Sequence, residues 1–326
     1  MSDAHAEHSS FAAPLSDTAG QPVVVGYDGS TEGDKALGWA AGFAALCGVP
    51  LQIVYAVEPP DGGGGDPFGA VEPEEWPGRA TGVARRGANH VLRQHPNLRV
   101  EADGAVGNPA AEIVMRSATA SVVVVGRRTT QPVDALGSVS FAVGAHARCP
   151  AVVVPSASTP LLGPRCPVVV GIDGSASSRH AVTFAADVAL RAGAELILVS
   201  AWTRPSREPW MAGPDEAHDD RPRSGKSAEH SAAVQVVRGA ADLVHRLAPD
   251  LPTVQVVRQG PAHEVLLQAS GEAGLLVVGS RGAGGFVGLQ VGSVSRALLR
   301  HATIPVAVVP QGSSVDSRPY ALGEGV

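Results

Sequence analysis

Leu275 to Arg300 reads LLVVGSRGAGGFVGLQVGSVSRALLR, and the fold is decided in this stretch. Leu275 to Val278 is an apolar run short enough for a buried strand, closed by Gly279. A glycine-dense turn follows, with Gly282, Gly284, Gly285 and Gly288, before Gly292-Ser293 opens a run with helical spacing. Leu298 and Leu299 lie three and four positions after Ser295, and Ser293 is the expected N-cap. A strand, a Gly-rich loop and a helix N-terminus in that order suit phosphate. Glycines let backbone N–H groups approach the oxygens, and the first-turn N–H groups carry partial positive charge. Each charge-assisted contact contributes roughly 1.5–3 kcal/mol, so several together hold a triphosphate without a lysine. The spacing, Gly279-x2-Gly282-x9-Gly292-Ser293, lacks the Gly-Lys-Ser/Thr of a Walker loop and the Gly-x-Gly-x-x-Gly of a dinucleotide site. A merely flexible surface loop is the bland alternative, and the flanking strand and helix argue against it.

Working outward, the chain repeats itself. PVVVGYDGS at Pro22 to Ser30 returns as PVVVGIDGS at Pro167 to Ser175, 145 positions later. VVVVGRR from Val122 returns as LLVVGSR, GSVS recurs at Gly137 and Gly292, and CPAVVVP from Cys149 returns as IPVAVVP from Ile304. The order is kept throughout, which marks a tandem duplication. The expected division is a tail over 1–20, a first copy over 21–156, a linker over 157–166, a second copy over 167–311 and a tail over 312–326.

Apolar runs alternate with helical stretches, so each copy is read as a parallel α/β sheet with helices on both faces. The expected strands are Val23–Gly26, Leu51–Val57, Arg99–Gly104, Val122–Val125 and Ala151–Val154, then Val168–Gly171, Glu195–Ser200, Thr253–Val257, Leu275–Val278 and Val306–Val309. The first helix of each copy starts after Ser30 or Ser175 and stops near Gly48 or Gly193. Glu58 to Gly78 and Thr203 to Lys226 are Pro-bearing polar loops at corresponding places, read as mobile ahead of lid-forming.

Composition narrows the function classes. A net charge of −6 and only 4% aromatic residues give no reason to expect nucleic acid or an anionic membrane as partner. Cys47, Cys149 and Cys166 lack C-x-x-C spacing, which predicts incidental thiols and no zinc site. No apolar stretch approaches ~20 residues, and MSDAHAEHSS lacks the basic start and apolar core of a signal peptide, so a cytoplasmic setting is expected.

A strand ending Val-Gly-x-Asp-Gly-Ser, a Gly-x-Pro-Ala-type turn after the third strand and the Gly-x2-Gly-x9-Gly-Ser loop together resemble the universal stress protein family. The resemblance runs from about Pro22 to Pro155 and Pro167 to Pro310. It implies two tandem Rossmann-like open five-stranded parallel sheets that pack their fifth strands as an intrachain pseudo-dimer, and further association as a homodimer. It also implies ATP as ligand, with Mg carried by the nucleotide and helped by Asp173. Gly279, Gly282, Gly292 and Ser293 would surround ribose and phosphates together with Gly174, Arg281, Val294 and Ser295, and backbone near Ala201 would read adenine. The weaker set in the first copy is Asp28, Ala56, Gly126, Gly137 and Ser138.

The first copy departs from the pattern. Gly126 and Gly137 are 11 positions apart, against 13 from Gly279 to Gly292, and Thr129 stands where the second glycine should. Asp134 would repel phosphate, while Arg127 and Arg128 could offset it electrostatically. Weaker or absent nucleotide binding is expected there. Asp28 and Asp173 also have a plain reading as turn and cap residues, and Arg281 and Arg296 one as solvated charges. A phosphorylated receiver domain is the rival fold, but the first-strand acid stands alone here and the rival fails. The histidines show no ligand spacing, and no Gly-x-Ser-x-Gly elbow exists. The expected function is nucleotide-linked stress regulation without enzymatic turnover. A nucleotide-independent interaction or chaperone-like module and a slow ATPase are the alternatives.

Overall fold

A computed structural model of the chain describes residues 20–58, 72–127, 137–157, 162–204, 228–282 and 291–312. The expectations for the two tails, most of the two long loops, Arg128, Thr129, Asp134, Gly284, Gly285 and Gly288 lie outside the described residues. In the first copy the order is β1 (Val23–Gly26), α1 (Thr31–Cys47), β2 (Leu51–Val57), α2 (Trp76–Gln94), β3 (Val100–Val106), α3 (Pro109–Arg116), β4 (Val122–Gly126), α4 (Ser138–His146) and β5 (Ala151–Val154). The second copy repeats it with β6 (Val168–Gly171), α5 (Ala176–Ala192), β7 (Leu196–Trp202), α6 (Ala228–Leu247), β8 (Thr253–Gln259), α7 (Ala262–Ala269), β9 (Leu275–Gly279), α8 (Ser293–His301) and β10 (Val306–Val309).

Local chemistry sets the boundaries. Ser30 caps α1 by accepting from Gly33 N at 3.0 Å, and Ser175 caps α5 by accepting from Ser178 N at 3.1 Å. Both helices end on a left-handed glycine, Gly48 at φ 67° and Gly193 at φ 61°. The valine runs of β1, β4, β6 and β9 are buried on both sides, as inner parallel strands covered by helices require.

Strand order is β3-β2-β1-β4-β5-β10-β9-β6-β7-β8, so the two expected five-stranded sheets are one ten-stranded sheet. Pairing is parallel within each copy. At the seam β5 and β10 run antiparallel, with Val306 opposite Val153, Ala307 opposite Val152 and Val308 opposite Ala151. Two wholly apolar strands left as open edges would invite aggregation, and pairing them removes both edges. One face of the sheet is covered by α1, α2, α5 and α6, around Leu37, Trp39, Val188 and Val237. The other is covered by α3, α4, α7 and α8, around Ile113, Val143, Leu266 and Leu298.

Side chains also tie the seam. Arg127, directly after β4, donates from Nη1 to the carbonyls of Leu299 at 3.1 Å and Arg300 at 2.8 Å, both in α8. The expected role for Arg127 at a phosphate is thereby corrected: its guanidinium belongs to the second copy's helix. Burial lowers its pKa from the ordinary value, and the helix-end carbonyls are the compensating acceptors.

Two of the thiols, Cys47 and Cys149, are disfavoured as thiolates for a physical reason. Burial pushes Cys47 up to about 12, with Arg191 opposing and Asp187 adding, and burial likewise pushes Cys149 up to about 12. Because the folded state holds these protons more tightly than the ordinary value of 9.0, their contribution to stability is present below pH 9 and is lost as pH rises toward 12. Iodoacetamide on the native protein at pH 8 should leave Cys47 and Cys149 unmodified, and urea should expose both. Native labelling of Cys149 would contradict the burial argument.

Candidate functional site

The C-terminal ends of β6 and β9 and the N-termini of α5 and α8 meet around a cavity of about 610 Å³. Asp173, Ala201, Gly279, Arg281, Gly282, Gly292, Ser293, Val294 and Ser295 all line it, so nine of the ten residues named for the second copy come together. Gly174 does not line it. It holds the turn after β6 at φ 83°, a left-handed conformation that favours glycine. The lining is apolar at Ile172, Val199, Ala201, Leu266 and Val278, and among the described residues it carries Arg281 and Arg296 against one carboxylate, Asp173. An apolar slot below a positive rim fits a base and its phosphates.

The loop stem is held by hydroxyls that sequence reasoning missed. Ser177 Oγ donates to the carbonyl of Arg281, and Ser175 Oγ approaches the same carbonyl at 3.4 Å. The signal was the serine spacing Ser175-x-Ser177 after Asp-Gly, against Ser30-x-Glu32 in the first copy. Ser295 Oγ donates to Gly279 O at 2.8 Å, so its hydroxyl proton pins α8 to β9 and is not directed at a ligand. A Cβ on Gly279 would stand 2.8 Å from the Ser177 carbonyl carbon, so helix packing alone demands glycine there. A Cβ on Gly282 would stand 2.8 Å from Asp173 Oδ2. Asp173 Oδ1 accepts from Ser175 N at 2.9 Å, so the turn role and the cavity position hold at once.

Ser293 is not the N-cap of α8. Gly292 is, at φ −67° and ψ 161°, and no side chain caps the helix. The first-turn N–H groups therefore lack the serine partner that α1 and α5 have, which leaves them for an anion. Among the described residues no group of three His, Cys, Asp or Glu could hold a metal ion.

The first copy has a matching cavity of about 470 Å³, and Asp28, Ala56, Gly126, Gly137 and Ser138 all line it. Its chemistry differs. Glu32 replaces Ser177, Tyr27 replaces Ile172, Tyr55 replaces Ser200 and Phe141 replaces Arg296. The described lining carries two carboxylates, Asp28 and Glu32, and no basic side chain. Tyr27 donates to Asp34 Oδ1 at 3.0 Å, and burial together with that bond raises its pKa.

Comparison with known proteins agrees with the duplication. The model of the universal stress protein family matches residues 20–155 and again 166–310. Universal stress protein Rv2005c of Mycobacterium tuberculosis is 35% identical over 306 residues, covering 89% of this chain and 97% of that protein. Universal stress protein Rv2623 of the same organism is 32% identical over 306 residues, covering 88% and 95%. In fold, the chain is similar to the crystal structure of a universal stress protein from Archaeoglobus fulgidus, with a TM-score of 0.65 at 19% identity, covering 90% of this chain and 99% of that one. Two matched copies and near full-length relatives at this identity leave one assignment: the chain is a tandem member of the universal stress protein family.

Proposed function

We propose that this universal stress protein is an ATP-linked regulator whose nucleotide site lies in the second copy. One observation carries the reading: an uncapped helix N-terminus, two arginines and a glycine-held loop stem converge on one cavity with an apolar inner wall. The residues fit the ligand. Backbone N–H groups of Val294 and Ser295 and the guanidinium groups of Arg281 and Arg296 would hold phosphates, with Mg carried on the phosphates beside Asp173. The base would lie against Val199, Ala201 and Leu266. Asp173 is the cavity's carboxylate and is already bonded to Ser175 N, so the reading is a sensor with no rapid turnover. A cytoplasmic setting and homodimer formation belong to the same reading. It names neither nucleic acid nor membrane as partner, in keeping with the net charge of −6.

Mass spectrometry of gently purified protein should find co-purified ATP, and calorimetric titration should give one strong site per chain. Two sites of similar affinity would overturn the asymmetry argued from Glu32 and Phe141. Absence of any binding would leave the nucleotide-independent interaction module.

A further inference from the structure

α2 lies over β2 and β3 at one end of the sheet. Its 19 residues carry four arginines, Arg79, Arg85, Arg86 and Arg93, and no carboxylate, in a chain whose net charge is −6. All four are exposed. Arg79, Arg86 and Arg93 recur every seven residues, close to two helical turns, and so form one row about 21 Å long. Their partners among the described residues are weak ones. Arg79 meets Glu75 at 3.8 Å with both side chains more than half exposed, Arg86 donates to the Gly82 carbonyl at 3.4 Å, and Arg93 approaches His90 Nδ1 at 3.4 Å.

The row borders two bare glycines. Gly82 stands three positions after Arg79 and four before Arg86, with Gly78 one turn earlier, so these residues are neighbours on the helix surface. Glycine weakens a helix interior and is kept where packing forbids a side chain. Gly87 is such a case, since a Cβ there would stand 2.9 Å from the Tyr27 ring. A Cβ on Gly78 or Gly82 would meet nothing within 4 Å among the described residues. In α6, where Ala233, Val237 and Val244 are buried as Ala80, Ala84 and Val91 are in α2, the outer face is different. Gln235 replaces Gly82, Ala232 and Gly239 replace Arg79 and Arg86, and Asp242 replaces Asn89. The fold itself therefore requires neither the row nor the bare glycines.

We propose that the outer face of α2 docks an acidic helix of a partner protein, with small residues seated over Gly78 and Gly82 and carboxylates on Arg79, Arg86 and Arg93. A guanidinium takes a carboxylate through two parallel hydrogen bonds, and a row at two-turn spacing matches carboxylates repeated along one helix face. Bare glycine backbone lets the partner's axis come close enough for the arginines to reach around it. A membrane surface or a nucleic-acid duplex is an extended polyanion and would meet the rest of a chain with net charge −6. A single helix touches this face alone, and screening confines the attraction to roughly 8 Å at physiological salt. Leu92 is the large apolar residue that α2 exposes, too little to insert into a bilayer.

Titrating a fluorescent peptide of three Glu-Ala-Ala-Ala-Glu-Ala-Ala repeats with the full chain at low salt tests this. Saturable one-to-one binding is expected, and R86E should weaken it by roughly tenfold or more. G82Q, which installs the residue that α6 has, should weaken it by a similar factor while the melting temperature is no lower than that of wild type. That melt separates lost docking from a lost fold. A peptide of the same composition, with its glutamates spread around the helix, should bind at least about fivefold more weakly than the repeat peptide. Equal affinity of wild type and G82Q would overturn the seat over the glycines, and equal affinity for the two peptides would overturn recognition of one helix face. Absence of peptide binding would overturn the proposal outright. Cosedimentation of wild type but not R86E with phosphatidylserine vesicles, in that case, would assign the face to a membrane instead.

Discussion

Replacing Gly282 with leucine should weaken ATP binding by roughly 100-fold or more and leave the protein folded. The loss follows from two or more backbone contacts at ~1.5–3 kcal/mol each, which a side chain in the loop stem would push off the phosphates. The fold survives because, among the described residues, the new Cβ meets Asp173 Oδ2 at 2.8 Å, the far end of a side chain and not a backbone atom. Gly282 is also not among the glycines with positive φ, so leucine meets no backbone strain there. The change in stability should stay within about 1 kcal/mol, as for other substitutions away from the core. Calorimetry and thermal melts on the same preparation separate the two effects. Affinity within threefold of wild type would show that the stem does not face the phosphates.

A second glycine should behave in the opposite way. Gly104 in β3 lies under α2, where a Cβ would stand 2.1 Å from Thr81 N and 2.5 Å from the Ala80 carbonyl carbon. These are backbone atoms of a helix and cannot yield singly, so Gly104→Val must lift α2 from the sheet. The expected cost is on the order of 3 kcal/mol or more, the upper range for overpacking. Even Gly104→Ala carries most of it, since the Cβ itself is what collides. The residue at the same register in the second copy is Val257, opposite Ser200 as Gly104 is opposite Tyr55. There the covering helix α6 stands off far enough for a valine. Urea unfolding measures the difference directly. A loss below about 1 kcal/mol would mean that α2 is not seated on β3 so closely.

Much of this architecture was legible because its signals are local. Valine runs closed by glycine or proline gave β1, β5, β6 and β10 their ends, and Ser30, Gly48, Ser175 and Gly193 bounded α1 and α5. β3, β7 and β8 run two residues past the expected ends. Backbone pairing continues there, Val57 with Val106 and Trp202 with Gln259, although the outer strands no longer need burial. The cap of α8 was misread because Ser293 is a good capping residue type, whereas Gly292 already holds the extended geometry one step earlier. Arg127 was beyond sequence reasoning: its partners are 172 and 173 positions away, and no local pattern marks that contact. Ser177 could have been found by setting the two copies side by side, since a donor hydroxyl in one stands where Glu32 stands in the other.

The reversed pairing of β5 with β10 has a consequence for anything that docks. Parallel strands within each copy place its cavity at their C-terminal rim, and the reversal turns the two rims to opposite ends of the molecule. The positive mouth beside Arg281 and the acidic mouth beside Glu32 therefore look away from each other. A rigid visitor that recognises one cannot touch the other, and two visitors would be held apart by the full length of the strands.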